Sequence, residues 1–403
     1  MDFLWGILGI LTVFAIAFLL STNRKAISLR TVLGGLAIQL TFAFLVLKWE
    51  LGRQALTKLT EVVSNIIDYA NDGSIFLFGE LASGEGAVIF AFQVLTIIIF
   101  FSALISVLYY IGVMQWFIRI IGGALHKALG TSKTESLSAT ANIFVGQTEA
   151  PLVIRPYVSK MTQSELFAVM TGGLASVAGS VLFGYHLMGV PLEYLLAASF
   201  MAAPAGLIMA KVLVPETDKS RSDESVELEA DSESANVIDA AANGASVGLK
   251  LALNVGAMLM AFIGLIALIN GFLGFVGGLV GYEALSLNMI LGAIFAPIAF
   301  AIGIPWSEAV TAGQFIGTKI VVNEFVAYAN FTESMDQLSE KTVAIISFAL
   351  CGFANLSSLG ILLGGLGGIA PERRGDIAKM GIRAIIAGTL ASLLSASIAG
   401  MLF

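Results

Sequence analysis

The stretch Asn142–Pro156, NIFVGQTEAPLVIRP, decides how this chain is read. It places an amide, a hydroxyl, a carboxylate and an arginine inside sequence that is oily for tens of residues on either side. Thr148 is a candidate N-cap and Pro151 fits a first helical turn, so the spacing predicts a short helix starting here. Gly146 lets the backbone turn just before it. Ser136–Phe144 upstream also reads as helical, and the two pieces together run from about Ser136 to Tyr157. Two short helices meeting at a polar tip form a re-entrant hairpin rather than a rod that crosses a bilayer. Non-helical backbone at membrane depth is tolerated where it is buried in protein or lines a wet cavity. In transporters, interrupted helices of this kind point to the binding site.

The rest of the chain supports a membrane setting. Of 403 residues, 57% are hydrophobic and 12% charged, about half the charge of an ordinary soluble domain. Mean hydropathy is +0.91. A lone cysteine, Cys351, and two distant histidines, His126 and His186, exclude an internal disulfide and speak against a metal cluster. No phosphate-binding loop, nucleophile elbow or zinc-protease motif occurs, so the expectation is a non-enzyme whose uphill work is ion-coupled.

Outward from the hairpin, eight stretches read as spans: Phe3–Leu20, Thr31–Lys48, Val88–Ile111, Gln163–Met188, Leu192–Val214, Ala241–Phe272, Ser339–Leu366 and Ile382–Phe403. Gln54–Tyr69 is amphipathic and is expected along the outer interface, and Trp116–Leu129 along the inner one. Leu285–Ile304, with Pro297, reads as bent or interfacial. Pro215–Ser234 holds eight acidic and two basic residues and reads as a solvated loop. Trp306–Phe331, carrying Asn323-Glu324, reads as a second hairpin. Basic residues such as Arg24, Lys25, Arg30, Lys127, Arg373 and Lys379 gather on one side, and Lys48, Arg53, Lys58 and Lys341 on the other. That bias predicts an N-terminus outside. The sequence then divides into scaffold helices (1–134), the first hairpin with its spans (135–214), the acidic loop (215–235), a long scaffold helix (236–304) and the second hairpin with its spans (305–403).

The halves repeat one plan: a hairpin with a small polar residue before Glu (Thr148-Glu149, Asn323-Glu324), then Ser-Glu, then a span with a Gly/Ser centre. By span count the hairpins enter from opposite sides, an inverted repeat with its site near mid-membrane. A carboxylate there costs about 2.5–3.5 kcal/mol on insertion scales, taking Glu as comparable to Asp. Glu149 and Glu324 are therefore functional candidates. Their plainer role would be capping a half-helix or pairing with Arg155 or Lys319. Gln147, Thr148, Asn323, Asn355 and Ser358 offer hydrogen bonds beside them, or serve as glue between helices. Phe353 reads as core packing. Asn142 and Ser176, with carbonyls near Val145 and Val177, offer oxygens for a cation.

GQTEAP (Gly146–Pro151), NEFVAY (Asn323–Tyr328) and CGFANLSSLG (Cys351–Gly360) resemble the motifs of the concentrative nucleoside transporter family. The resemblance implies an all-α polytopic protein with eight spans, two opposed hairpins and an elevator-type transport domain on a homotrimeric scaffold. It implies import of nucleosides such as uridine with sodium, no nucleic-acid partner and no organic cofactor. Proton coupling or uncoupled flow are the alternatives. By motif, Gln147, Thr148 and Glu149 would meet the base, with Val181 packing on it. Glu324, Asn355 and Ser358 would hold the ribose, with Phe353 alongside. Asn142, Ser176 and the carbonyls of Val145 and Val177 would ligate sodium, and the long helix from Ala241 would join the trimer. Short termini fit a bacterial inner membrane.

Overall fold

The computed structural model describes residues 2–83, 89–218, 234–279, 281 and 285–403. Most of the acidic loop and the first residue of the expected span Val88–Ile111 lie outside them. The described chain is helical, and no strand occurs among the described residues.

Helices α1 (Asp2–Leu19) and α2 (Leu29–Leu47) are apolar and match the first two expected spans. The next helix, α3 (Glu50–Phe78), is longer than its amphipathic pattern indicated: Ile67, Ala70 and Ser74 are buried on one side of its second half. Short α4 (Phe90–Gln93) leads into α5 (Leu95–Tyr110), and α6 (Val113–Leu129) is amphipathic as expected. The first hairpin opens with α7 (Lys133–Ala141), capped by reciprocal bonds between Ser132 and Glu135.

The second arm differs from expectation. A 3₁₀ turn covers Ala150–Ile154, then one α-turn, α8 (Arg155–Val158), and Thr148 caps neither. The Glu149 carboxylate instead reaches back and accepts the Gly146 amide at 2.9 Å, so the turn is closed by the acid itself.

The span at Gln163–Met188 is two helices, α9 (Gln163–Ala175) and α10 (Gly179–Leu187), separated by extended backbone at Ser176–Ala178. Next comes α11 (Leu192–Leu213), with Pro204 inside, and then α12 (Val237–Leu279), 43 residues or about 65 Å long. Helices α13 (Leu287–Ala301) and α14 (Trp306–Val321) fold on each other with a bend of 117°. The turn Val322–Asn323 joins α14 to α15 (Glu324–Ser334), and Asn323 caps α15 through the Val326 amide.

The expected span Ser339–Leu366 is also broken: α16 (Glu340–Leu350) and α17 (Leu356–Ile369) flank five residues of non-helical backbone. The last helix is α18 (Arg374–Met401). Seven helices or helix pairs are long and apolar enough to cross a membrane among the described residues, or eight if α13 and α14 count as one bent span. Neither α16 nor α17 reaches that length alone.

The halves correspond element by element: α7, α9/α10 and α11 in one, α14, α16/α17 and α18 in the other. The repeated Ser-Glu pair is not the true match. Thr162 caps α9 while Ser339 caps α16, so Ser164 and Ser339 hold different helix positions. The hairpins begin at opposite ends of α1. Thr22, just past its C-terminal end, donates to Leu213 at the end of α11, whose Lys211 pairs with Glu135 of α7 at 2.7 Å. At the other end of α1, Asp2 pairs with Lys341, and Phe300 packs on both Trp5 and the Trp306 that starts α14.

Candidate functional site

Both helix breaks exist to bring backbone together. The Phe353 amide donates to the Ser176 carbonyl at 3.0 Å, so the two interrupted helices meet at their interruptions. Gly352 is what permits the contact: a Cβ there would stand 2.8 Å from the Ala175 carbonyl and 2.9 Å from Ser392 Oγ. The hairpin tip closes on the same junction. The Gly179 amide donates to the Phe144 carbonyl at 3.0 Å, and a Cβ on Gly173 would stand 2.8 Å from that of Gln147.

Around this junction the expected residues fall into three groups. The first is built on Glu324, 4% exposed at the start of α15. The Tyr185 hydroxyl donates to its Oε1 at 3.2 Å and the Asn355 amide to its Oε2 at 2.7 Å. Asn355 Oδ1 in turn accepts the Ser358 amide and the Ser357 hydroxyl, which caps α17 and fixes the side chain. Each carboxylate oxygen keeps a lone pair to offer. Tyr185 was missed in the sequence, where an aromatic in an apolar span looks like core. It is indeed packed, on Phe325 and Tyr328, but its hydroxyl is aimed at the acid.

The second group surrounds Asn142. Its Nδ2 donates to the Ser138 carbonyl at 3.0 Å, while its Oδ1 is buried with no hydrogen-bond partner. Thr171 Oγ1 and Gln147 Oε1 are buried and unpartnered as well. Ser176 Oγ donates to the Gly172 carbonyl and keeps lone pairs free. Val145 and Val177 lie in non-helical backbone, where their carbonyls are not committed to a helix. Buried oxygens without donors, gathered with unwound carbonyls, are a donor set that fits a hard monovalent cation. Among the described residues no His, Cys, Asp and Glu cluster suits a metal ion of another kind. Thr171 was the residue the sequence did not flag.

The third group faces open space. Glu149, Phe144 and Val145 border a cavity of about 600 Å³ that continues to Ser180 on α10, Ser102 on α5 and Asn243 on α12. That volume suits a small organic molecule. Val181 is buried next to Ser180, and Thr148 packs on Gly365 of α17. The alternative that the acids merely pair with cations is not supported: none of the described ion pairs joins Glu149 to Arg155 or Glu324 to Lys319. Another cavity, about 540 Å³ near Lys48, Glu193 and Phe403, touches none of the expected site residues.

A helical membrane fold with two interrupted helices meeting beside a buried carboxylate, Glu324, defines a solute transporter rather than an enzyme. Family models described as "Na+ dependent nucleoside transporter" match residues 8–81 (N-terminus) and 194–400 (C-terminus), and one described as "Nucleoside recognition" matches 91–192. The chain is similar to the nucleoside permease NupC of Helicobacter pylori, 51% identical over 99% of this chain and 97% of that one. It is also similar to the inward-facing, substrate-bound structure of CNTnw, with TM-score 0.95, 56% identity and 100% and 98% coverage. An outward-facing variant of CNTnw aligns with TM-score 0.96 and 55% identity over 100% of this chain and 98% of that one. The chain belongs to the Na+-dependent, concentrative nucleoside transporter family and is a membrane transporter of nucleosides.

Proposed function

We propose that this protein imports nucleosides by symport with sodium, and that Glu324 and Asn142 are the two residues on which that coupling turns. The observation that carries the reading is the pairing of a carboxylate held by one hydrogen bond on each oxygen with an undressed oxygen cluster across one junction. Glu324 is pre-aimed by Tyr185 and Asn355, so its remaining lone pairs suit the two donors of a ribose diol. Asn142 Oδ1, Ser176 Oγ and the carbonyls of Val145 and Val177 then hold sodium, which supplies positive charge at the hairpin tip. Gln147, Thr148 and Glu149 face the base from that tip, Val181 packs on it, and Phe353 and Ser358 line the ribose side. A uridine-like nucleoside is neutral, so selection rests on satisfying these polar groups rather than on charge.

The sodium site and the base-contacting residues share one short loop, Asn142–Glu149. Ordering that loop by either ligand favours the other, and the coupling is reciprocal. The elevator reading rests on the helix plan: both hairpins and both broken helices form one body around the junction, set against α3, α5, α6 and α12. The long, exposed apolar face of α12 favours a homotrimeric scaffold, and a bacterial inner membrane with the N-terminus outside fits the basic residues.

Radiolabelled uridine uptake into proteoliposomes tests the reading, with sodium and proton gradients imposed separately. Accumulation above the external concentration is expected with an inward sodium gradient alone. Uptake that follows the proton gradient and ignores sodium refutes the sodium assignment, and flow that only equilibrates refutes symport.

A further inference from the structure

Lys319 is 1% exposed, among the largest fully buried side chains, and the nucleoside and sodium sites above do not use it. It lies in the last turn of α14, five residues before Glu324. Its Nζ donates to the Ala349 carbonyl at 2.7 Å and to Ser392 Oγ at 3.2 Å. Ser392 Oγ also donates to the Cys351 carbonyl. The ammonium thus sits where the first arm of the second hairpin, the end of α16 and α18 converge, beside the break at Cys351–Asn355.

In the other half the same three elements converge on the oxygen cluster. The first arm of the first hairpin ends at Asn142, α9 ends at Ala175 beside its break, and Ser199 of α11 donates to the Ile143 carbonyl. There the junction holds unpartnered oxygens, and among the described residues no basic side chain bonds to them. Here it holds a lysine. The two junctions are equivalents in a repeated plan, one left open for a cation and one filled by a cation that belongs to the chain.

We propose that the Lys319 ammonium replaces a second coupling ion, so that one sodium per nucleoside completes the charge balance. This rests on the sodium-coupled reading above. Two carboxylates, Glu149 and Glu324, sit at the site with no cationic partner within ion-pair distance. One fixed ammonium and one bound sodium together offset both, while Arg155 and Lys250, which also line the Glu149 cavity, are exposed and screened by solvent. Removing the lysine charge frees the Ala349 carbonyl and the Ser392 hydroxyl oxygen, beside the Cys351 carbonyl that Ser392 already bonds, and leaves one negative charge uncompensated. A second sodium is then favoured in that place.

The experiment uses purified full-length protein and measures radiolabelled sodium bound per protomer at saturation, together with the sodium:uridine flux ratio from reversal potentials in proteoliposomes. The unmodified protein and Lys319→Arg are expected to bind one sodium and couple one per uridine. Lys319→Met is expected to bind two, with a sigmoid sodium-activation curve. Binding of one sodium or none by Lys319→Met, with the curve still hyperbolic, overturns the proposal. Should Lys319→Met not fold, the variant lacking both charges, Lys319→Met with Glu324→Gln, decides. A folded double variant that binds one sodium supports charge compensation, and a double variant that also fails to fold assigns Lys319 to structure alone. Failure of the unmodified protein to bind any sodium counts against the coupling reading itself and is told apart by that control.

Discussion

At the scale of single residues, the site works by leaving some polar atoms satisfied and others waiting. Glu324 was legible because Asn-Glu inside an apolar chain has to be accounted for. Tyr185 and Thr171 were not, because a tyrosine or threonine in a buried helix is ordinarily packing, and only the three-dimensional aim of a hydroxyl separates the cases. If Glu324 accepts from the ribose as proposed, Glu324→Gln removes that charged acceptor, and uridine uptake is expected to fall at least about tenfold, since tenfold is only about 1.4 kcal/mol. Tyr185→Phe keeps the ring contacts with Phe325 and Tyr328 and removes one bond to the acid. Hydrogen bonds to charged groups are worth about 1.5–3 kcal/mol, so KM for uridine is expected to rise about tenfold with the fold unchanged. An unaltered KM would reduce Tyr185 to core. Asn142→Ala deletes a buried, unpartnered oxygen and is expected to abolish the sodium dependence of uptake. Sodium activation identical to the unmodified protein would exclude Asn142 from the ion site.

At the scale of elements, what could be read was where helices break, and what could not was how the broken pieces are tied. The small-residue run at Thr171–Gly179 and the polar run at Cys351–Ser358 mark the centres of what the sequence reads as two spans, and there the structure is interrupted, at Ser176–Ala178 and Cys351–Asn355. That these breaks bond to each other depends on contacts nearly 180 positions apart, which local pattern does not encode. The same holds for the base of the first hairpin. Lys211 of α11 is buried against Glu135 of α7 at 2.7 Å, donates to Ser164 of α9 at 2.9 Å and lies 3.5 Å from Glu216. One side chain therefore fastens three helices into a single body. Breaking a buried pair by removing one partner costs about 3–5 kcal/mol, because the remaining charge is stranded. Lys211→Met is expected to lower the unfolding temperature in detergent markedly, and adding Glu135→Gln to restore most of it. A single variant that melts like the unmodified protein would show that the pair fastens nothing.

At the scale of the whole molecule, one exposed surface and one polarity follow from the packing. Leu249, Leu253, Met260, Leu268, Phe272, Phe275 and Leu279 leave an apolar face exposed along about 45 Å of α12, beyond what one bilayer crossing of about 30 Å needs. Light scattering of the detergent-solubilised protein is therefore expected to give a trimeric mass, and a monomeric mass at working concentration would leave that face to lipid. The polarity is set by which residues gather at each end. Thr22 beside Leu213 puts the ends of α1 and α11 together, and Arg30 donating to the Lys127 and Ala128 carbonyls adds the start of α2 and the end of α6. Arg373, donating to the Met161 carbonyl, brings the start of α18 to that end too. Asp2 and Lys341 mark the opposite end. The bias of basic residues predicts that the Leu213 end faces the cytoplasm. Cysteine labelling reads this directly, because the native Cys351 is buried. Asp2→Cys gives up only an exposed ion pair, worth about 0–1 kcal/mol, and Asp218→Cys lies on exposed chain after α11. In intact cells a membrane-impermeant maleimide is expected to label position 2 and spare position 218 until the membrane is opened. The reverse pattern would invert the orientation, and labelling of both from outside would place the two ends of α1 on one side, which no membrane-crossing α1 allows.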